Sequence, residues 1–185
     1  MPDAPTPPAR ADRESVAGRT ALIVLFRAYL LLLAWMVLWK FEVPWVGDGE
    51  LRAIKLVPFL PTGDDGASRP IELVANVLLF APFGVYLGLF APFWRWWQVG
   101  AAALGVSLLL EVLQYVLAVG ASDTSDLILN VAGALAGLGL LALLRRWLGE
   151  RTGLVLLWVC AVGTVLAVLV ALLFALSPLR YAQGG

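Results

Sequence analysis

The chain has 185 residues, of which 61% are hydrophobic and 14% charged, and its 13 basic and 13 acidic side chains leave no net charge. A soluble domain of this length needs a larger polar surface, so the apolar excess indicates a protein that lies in lipid. The balanced charge predicts no nucleic-acid partner. Histidine is absent and Cys160 is the single cysteine, which excludes a disulfide within the chain and cysteine-based zinc sites. We expect Cys160 to be a small buried apolar residue. We also expect the protein to bind neither a metal nor a cofactor.

Residues 1–19 are rich in proline, alanine and charged residues. This composition cannot bury a hydrophobic core and predicts a disordered tail. We expect no cleaved signal peptide, because no convincing small-residue cleavage site follows the first apolar run. Residues 20–180 are then predicted to form a single membrane domain.

Five apolar runs approach or exceed the length of about 20 residues that a helix needs to cross a bilayer. In lipid such runs must be helical, because every backbone polar group needs a partner within the segment. The predicted fold class is therefore an all-α integral membrane bundle of about five transmembrane helices. The runs cover 20–39, 72–93, 98–119, 126–144 and 153–176.

The basic residues predict the orientation of this bundle in the cell membrane. Arg145, Arg146 and Arg151 lie in a very short loop, where basic residues mark the cytoplasmic side most strongly. This places the N-terminus in the cytoplasm and the C-terminus outside. Residues 40–70, which alternate charged and apolar side chains as an interfacial segment does, and the turn 120–125 then both face outward.

An acidic residue interrupts the third predicted helix. Glu111 lies about 12 Å from the outer end of that helix, and Ser107 and Gln114 share its face at helical spacing. An ionisable residue at this depth is costly unless it is paired or protonated, and it marks a functional site by default. The alternative is a structural polar clasp between helices, in which Glu111 is neutral.

The turn before the fourth predicted helix carries Asp123 and Asp126. Asp123 fits an N-cap residue, whose carboxylate accepts backbone N–H bonds at the positive end of the helix dipole. Capping explains one aspartate well, but it does not explain Asn130, one turn further into the apolar run.

One narrow face of the fourth helix combines polar and small residues. Asp126, Asn130, Gly133 and Gly137 fall on it at helical spacing. Gly133 and Gly137 form a small-xxx-small pair, which is typical of close helix packing in membranes. Because a tight turn joins the third and fourth helices, we expect this face to pack against the third helix at Glu111 and its neighbours.

The second predicted helix contributes Asn76 from the same side of the membrane. Its side chain either joins the outer polar residues or merely caps the helix. Pro82 and Gly84 further along predict a kink. The side chains that we predict to line an outward polar cleft are Asn76, Glu111, Gln114, Asp123, Asp126 and Asn130.

The order and spacing of these motifs resemble the VanZ family. The resemblance rests on KLVPF at 55–59, NVLLFAPFGVYLG at 76–88, ExxQ at 111–114 and DTSDLILNVAGALAG at 123–137, within a core of about 55–140. It implies a small multi-helix protein of the cell envelope, in a family whose namesake is associated with low-level resistance to the glycopeptide teicoplanin. Related sequences usually carry an arginine where this chain has Gly120, which weakens the case for a phosphate-gripping turn.

The resemblance and the polar residues together favour a non-enzymatic envelope protein. Its cleft would bind a lipid-linked or amphiphilic envelope molecule, or another membrane protein. An enzyme acting on a lipid-linked phosphate or glycan is an alternative, with Glu111, Asp123 and Asp126 as acid and base or as ligands of Mg²⁺ or Ca²⁺. A transporter subunit with Glu111 as a proton carrier is a second alternative, although no internal repeat supports it. The sequence assigns no catalytic residue.

Overall fold

The computed structural model describes residues 9–39, 70–119 and 124–149, together with 152–153, 155 and 158–164. These residues contain four long helices and no strand. The helices are α1 Ala9–Trp39, α2 Pro70–Phe90, α3 Trp96–Leu117 and α4 Thr124–Leu148.

Each of the four helices contains a stretch that is long and apolar enough to cross a membrane. Many large apolar side chains point away from the bundle, among them Leu31, Leu78 and Val116, which are 74%, 65% and 70% exposed. Such a surface is stable in lipid and not in water. The predicted all-α membrane bundle is therefore confirmed. The predicted fifth span, 153–176, lies mostly outside the described residues, and residues 158–164 within it are helical.

α1 begins at Ala9, well before the first predicted span. The part of the predicted disordered tail that runs from residue 9 to residue 19 is thus helical, and residues 1–8 lie outside the described part of the chain. Alanine and arginine make up six of these eleven residues, and both favour helix. An established transmembrane helix also removes the nucleation cost that an isolated segment of this length would face.

α4 packs against both α2 and α3, which contact each other much less. Gly133 lies against the backbone of Val77, and Gly137 against that of Ala81, so α2 and α4 run in the same direction. α3 runs in the opposite direction, since Gly100 near its start faces Val131 and Leu135 of α4, whereas Ser107 further along α3 meets the earlier residue Asn130.

Aromatic side chains join α1 to α2. The ring of Tyr86 lies 5.1 Å from that of Phe26 and 5.6 Å from that of Tyr29, between ring centroids. The Tyr29 hydroxyl donates a hydrogen bond of 2.7 Å to the carbonyl oxygen of Leu79. Phe26 also packs on Phe90 at 5.4 Å, so α1 is antiparallel to α2 and parallel to α3.

Candidate functional site

Polar side chains gather toward one end of this apolar bundle. We call it the turn end, because α3 ends there at Leu117 and α4 begins there at Thr124. Polar groups inside a bundle are tolerated only when they find hydrogen-bond partners. The buried members, with their exposed fractions, are Ser107 1%, Glu111 8%, Gln114 4%, Ser125 0% and Asn130 3%.

A hydrogen bond between two buried side chains sets the register of α3 against α4. Asn130 Nδ2 donates to Ser107 Oγ at 2.8 Å. Because the two helices are antiparallel, one turn toward the turn end brings Glu111 of α3 and Asp126 of α4 to the same level. Two carboxyl groups therefore stand at one depth of the membrane domain.

Asn76 brings α2 into the same cluster. Its Nδ2 donates to Asp126 Oδ1 at 2.5 Å. Of the two roles that the sequence leaves open for Asn76, the structure supports the one in which it joins the polar residues. Asp126 lies in the first turn of α4, where the helix dipole favours a negative charge.

Gln114 connects the cluster to α1. Its Nε2 donates to the carbonyl oxygen of Val37 at 2.8 Å. This contact could not be predicted from the side chains, because its acceptor is a backbone group of a residue with an apolar side chain. Hydrogen bonds of four predicted cleft residues, Asn76, Gln114, Asp126 and Asn130, thus connect α1, α2, α3 and α4. We call Asn76, Ser107, Glu111, Gln114, Asp126 and Asn130 the polar cluster; Asp123 and Gly120 lie outside the described residues.

The face of α4 that carries Gly133 and Gly137, here called the glycine face, packs against a different helix from the one expected. A Cβ atom added at Gly133 would meet the carbonyl of Val77, and one added at Gly137 would overlap the carbonyl oxygen of Ala81. The partner is therefore α2, not α3. The sequence signal for this contact is the spacing of Ala81, Gly84 and Gly88, which gives α2 a small-residue face of its own.

A cavity of about 530 Å³ lies apart from the polar cluster. It is lined by α1, α2 and α4 and by residues 155, 159, 160, 163 and 164, and no member of the polar cluster lines it. Cys160 lies there among apolar side chains, half-buried and without a disulfide. The walls include Met36, Leu78, Pro82, Val85 and Leu144.

Within the described part of the chain, no group of three or more acidic or cysteine side chains could hold a metal ion. Glu111 and Asp126 belong to that part, whereas the third acid of the metal-ligand alternative, Asp123, does not. The described geometry consequently offers two carboxyl groups and several amide and hydroxyl groups. Such a set is suited to hydrogen bonding.

Comparison with known proteins gives one family and one named relative. The family model described as VanZ/LLP1 matches residues 26–145, a range that contains the whole polar cluster. Protein VanZ of Enterococcus faecium is 32% identical over 134 residues, which covers 69% of this chain and 77% of that protein. No solved structure matches.

Proposed function

Because the chain belongs to the VanZ family, we propose that it is a cell-envelope protein that contributes to resistance against glycopeptide antibiotics such as teicoplanin. In this proposal the polar cluster binds the polar part of a lipid-linked or amphiphilic envelope molecule. The turn end faces outward, and the end of α4 that carries Arg145 and Arg146 faces the cytoplasm.

The observation that carries this proposal is the cluster itself. Ser107 and Gln114 of α3 form hydrogen bonds with α4 and α1, and Asn76 of α2 forms one with Asp126 of α4, all inside an apolar bundle. Ionisable groups at such depth are rare in membrane helices and face a functional interior when they occur. Asp126 and Asn76 lie near the turn end and are half-buried, whereas Asn130 and Glu111 are buried. A ligand approaching from that end would therefore meet polar groups first.

The apolar cavity adds support for an amphiphilic ligand. It lies among the spans of the same bundle, and its walls are almost entirely hydrocarbon. Lipid tails are as apolar as the side chains that line this cavity, so an acyl chain can enter it from the bilayer at little cost.

Growth under teicoplanin tests the proposal. Glu111→Gln and Asp126→Asn retain the size of each side chain and remove the ability to ionise. We expect both variants to lose protection at normal protein abundance. Gln98→Glu is the matched control, because it makes the reverse exchange near the other end of α3, where the Gln98 side chain only accepts the Arg95 backbone N–H. If both site variants protect as well as the wild type, the proposal is wrong and the polar cluster is a structural clasp between helices.

A further inference from the structure

The apolar cavity has a polar spot in its wall at Tyr86, and we propose that it binds the acyl chain of an ester lipid whose carbonyl oxygen accepts a hydrogen bond from the Tyr86 hydroxyl. The proposed function takes from this cavity only that the bundle admits hydrocarbon chains. The inference goes beyond that use, because it names the class of lipid, the residue that selects it and the end of the bundle from which the lipid enters.

The cavity has the size and the walls of a ligand site. Ligand pockets measure about 300–1,000 Å³ and combine mostly apolar walls with a few polar groups, and this cavity measures about 530 Å³. Along α2 it extends from Leu78 to Tyr86, which is about 12 Å of helix. An extended chain advances about 1.2 Å per bond, so a hydrocarbon chain of about ten carbons matches this length.

The cavity is open to the side of the bundle. Leu78 and Leu140 line it, lie within membrane-spanning stretches, and are 65% and 50% exposed. In a membrane such a surface faces lipid tails, and a tail that moves into the cavity passes from one hydrocarbon environment to another. Contact with hydrocarbon therefore does not by itself select a ligand, and selection requires a polar group.

The hydroxyl of Tyr86 is such a group. Tyr86 is 1% exposed, and its hydroxyl forms no hydrogen bond of acceptable geometry with the described residues. Cys160 and Thr164 lie beside it in the cavity wall. A hydroxyl buried in this way is costly until an acceptor reaches it. Tyr29 lines the same cavity and provides the contrast, because its hydroxyl already donates to the Leu79 carbonyl oxygen.

An ester carbonyl is the acceptor that suits this position. It is neutral, so it can be buried without a charged partner, whereas a carboxylate cannot, and it is attached directly to an acyl chain. α2 ends at Phe90, about 6 Å along the helix from Tyr86. An ester about one turn below that end leaves its headgroup at the end of α2 and directs its chain toward Leu78. The lipid therefore enters from the Arg145 end of the bundle, opposite to the turn end.

Cys160 provides a reporter for this site. It is the single cysteine of the chain and it lines the cavity, so its rate of reaction with N-ethylmaleimide depends on whether the cavity is occupied. The full-length protein is placed in bilayer discs of dialkyl-ether phosphatidylcholine, which supplies hydrocarbon chains but no ester carbonyl. Three probes are then titrated: monodecanoylglycerol, its ether analogue monodecylglycerol, and decanoic acid.

We expect the ester to halve the labelling rate of Cys160 at a mole fraction about fivefold lower than the ether does, because the two probes differ by one hydrogen-bond acceptor. Tyr86→Phe removes only the donor, so it should bring the ester and the ether to within about twofold of each other. Tyr115→Phe is the matched control, because Tyr115 belongs to α3 and does not line the cavity. That variant should keep the preference for the ester.

A second pair of variants tests occupancy without changing Tyr86. Gly163 lines the cavity, and an added Cβ atom there meets no atom within 4 Å. Gly163→Leu therefore places a side chain in the space that the lipid would use, and the ester should no longer slow the labelling of Cys160. At Gly139 an added Cβ also meets no atom within 4 Å, but this residue does not line the cavity. Gly139→Leu should leave the effect of the ester unchanged.

The inference is overturned if the ester and the ether slow the labelling of wild-type Cys160 equally, or if decanoic acid acts at a lower mole fraction than the ester. A preference for the ester that persists in Tyr86→Phe overturns it as well. None of these results decides the proposed function, which is tested by Glu111→Gln and Asp126→Asn in the polar cluster, away from this cavity.

Discussion

Gly137 of α4 lies so close to Ala81 of α2 that a Cβ atom at position 137 would overlap the Ala81 carbonyl oxygen. The relationship is reciprocal along the interface, since a Cβ atom at Gly84 would overlap the carbonyl of Ala134. In lipid, helices gain little from burying apolar side chains, so backbone contact of this kind carries their association. It also fixes the level of Asp126 beside Asn76, one end of the polar cluster.

Gly137→Leu should therefore disrupt the bundle, whereas Gly139→Leu should not. The added side chain at 137 meets backbone that cannot move aside, and overpacking of this kind costs about 1–3 kcal/mol or more. At Gly139, on the exposed side of the same helix, no atom lies within 4 Å of an added Cβ. Unfolding temperature and the yield of folded protein in detergent would show the difference. Equal values for both variants would contradict the tight α2–α4 contact.

The transmembrane helices could be predicted because lipid leaves an apolar run no other structure. The helix that packs against the glycine face could not be predicted. α3 also carries small residues, Gly100, Ala103 and Ser107, so the small-residue criterion does not decide between α2 and α3. The choice depends on the rotation of each helix about its axis, and Gly105, for example, faces open space.

The polar cluster was predictable in part for a related reason. Spacing on a single helix places Ser107, Glu111 and Gln114 on one face, and the turn between α3 and α4 brings Asp126 near them. The bond from Gln114 to the Val37 carbonyl joins residues 77 positions apart. No spacing rule reaches across two helices to a backbone acceptor.

The bond between Asn130 and Ser107 should contribute to stability as a pair. Ser107→Ala and Asn130→Ala each remove one partner, and the double variant should be less destabilised than the sum of the two. We expect a coupling energy of about 0.6 kcal/mol, the average for side-chain hydrogen bonds between membrane helices. A double-mutant cycle by chemical unfolding in micelles measures it. Strict additivity would mean that the bond contributes nothing.

Arg145 should stabilise the end of α2, and Arg146 should not. Arg145 Nη2 donates a 2.9 Å hydrogen bond to the Gly88 carbonyl oxygen, close to the α2 terminus, where the helix dipole favours a positive charge. Arg145→Met should lower the free energy of unfolding by about 0.5–1 kcal/mol. Arg146 is the exposed neighbouring residue, and Arg146→Met should be nearly neutral. Thermal unfolding at low ionic strength makes the comparison, and an equal loss in both would point to net charge instead.

The proposed orientation predicts which parts of the chain are accessible from outside the cell. A tag at residue 185 should react with a membrane-impermeant reagent in intact cells, whereas tags at residues 1 and 148 should react only after permeabilisation. The basis is the basic end of α4, at Arg145 and Arg146, which the positive-inside rule places in the cytoplasm. Labelling at residue 148 in intact cells would reverse the bundle and put the turn end inside.

Ala118→Gly should stabilise the protein, which is the reverse of what this exchange does within a helix. Ala118 ends α3 in the left-handed conformation, with φ 54° and ψ 34°, and its N–H reaches the carbonyl oxygens of Gln114 and Tyr115. A residue with a Cβ atom is disfavoured in that conformation by about 1–2 kcal/mol, and glycine is not. Glycine loses about 0.5–1 kcal/mol through its more flexible unfolded chain. The net expectation is a gain of up to about 1 kcal/mol.

Ala102→Gly is the control for this exchange, because Ala102 lies within α3 in ordinary helical conformation and is half-buried. There glycine has no steric strain to relieve, so the variant should be about 1 kcal/mol less stable than the wild type. The unfolding temperatures of the two variants should thus move in opposite directions. Parallel losses would show that position 118 does not adopt the left-handed conformation, and that the chain leaves α3 toward Asp126 by another path.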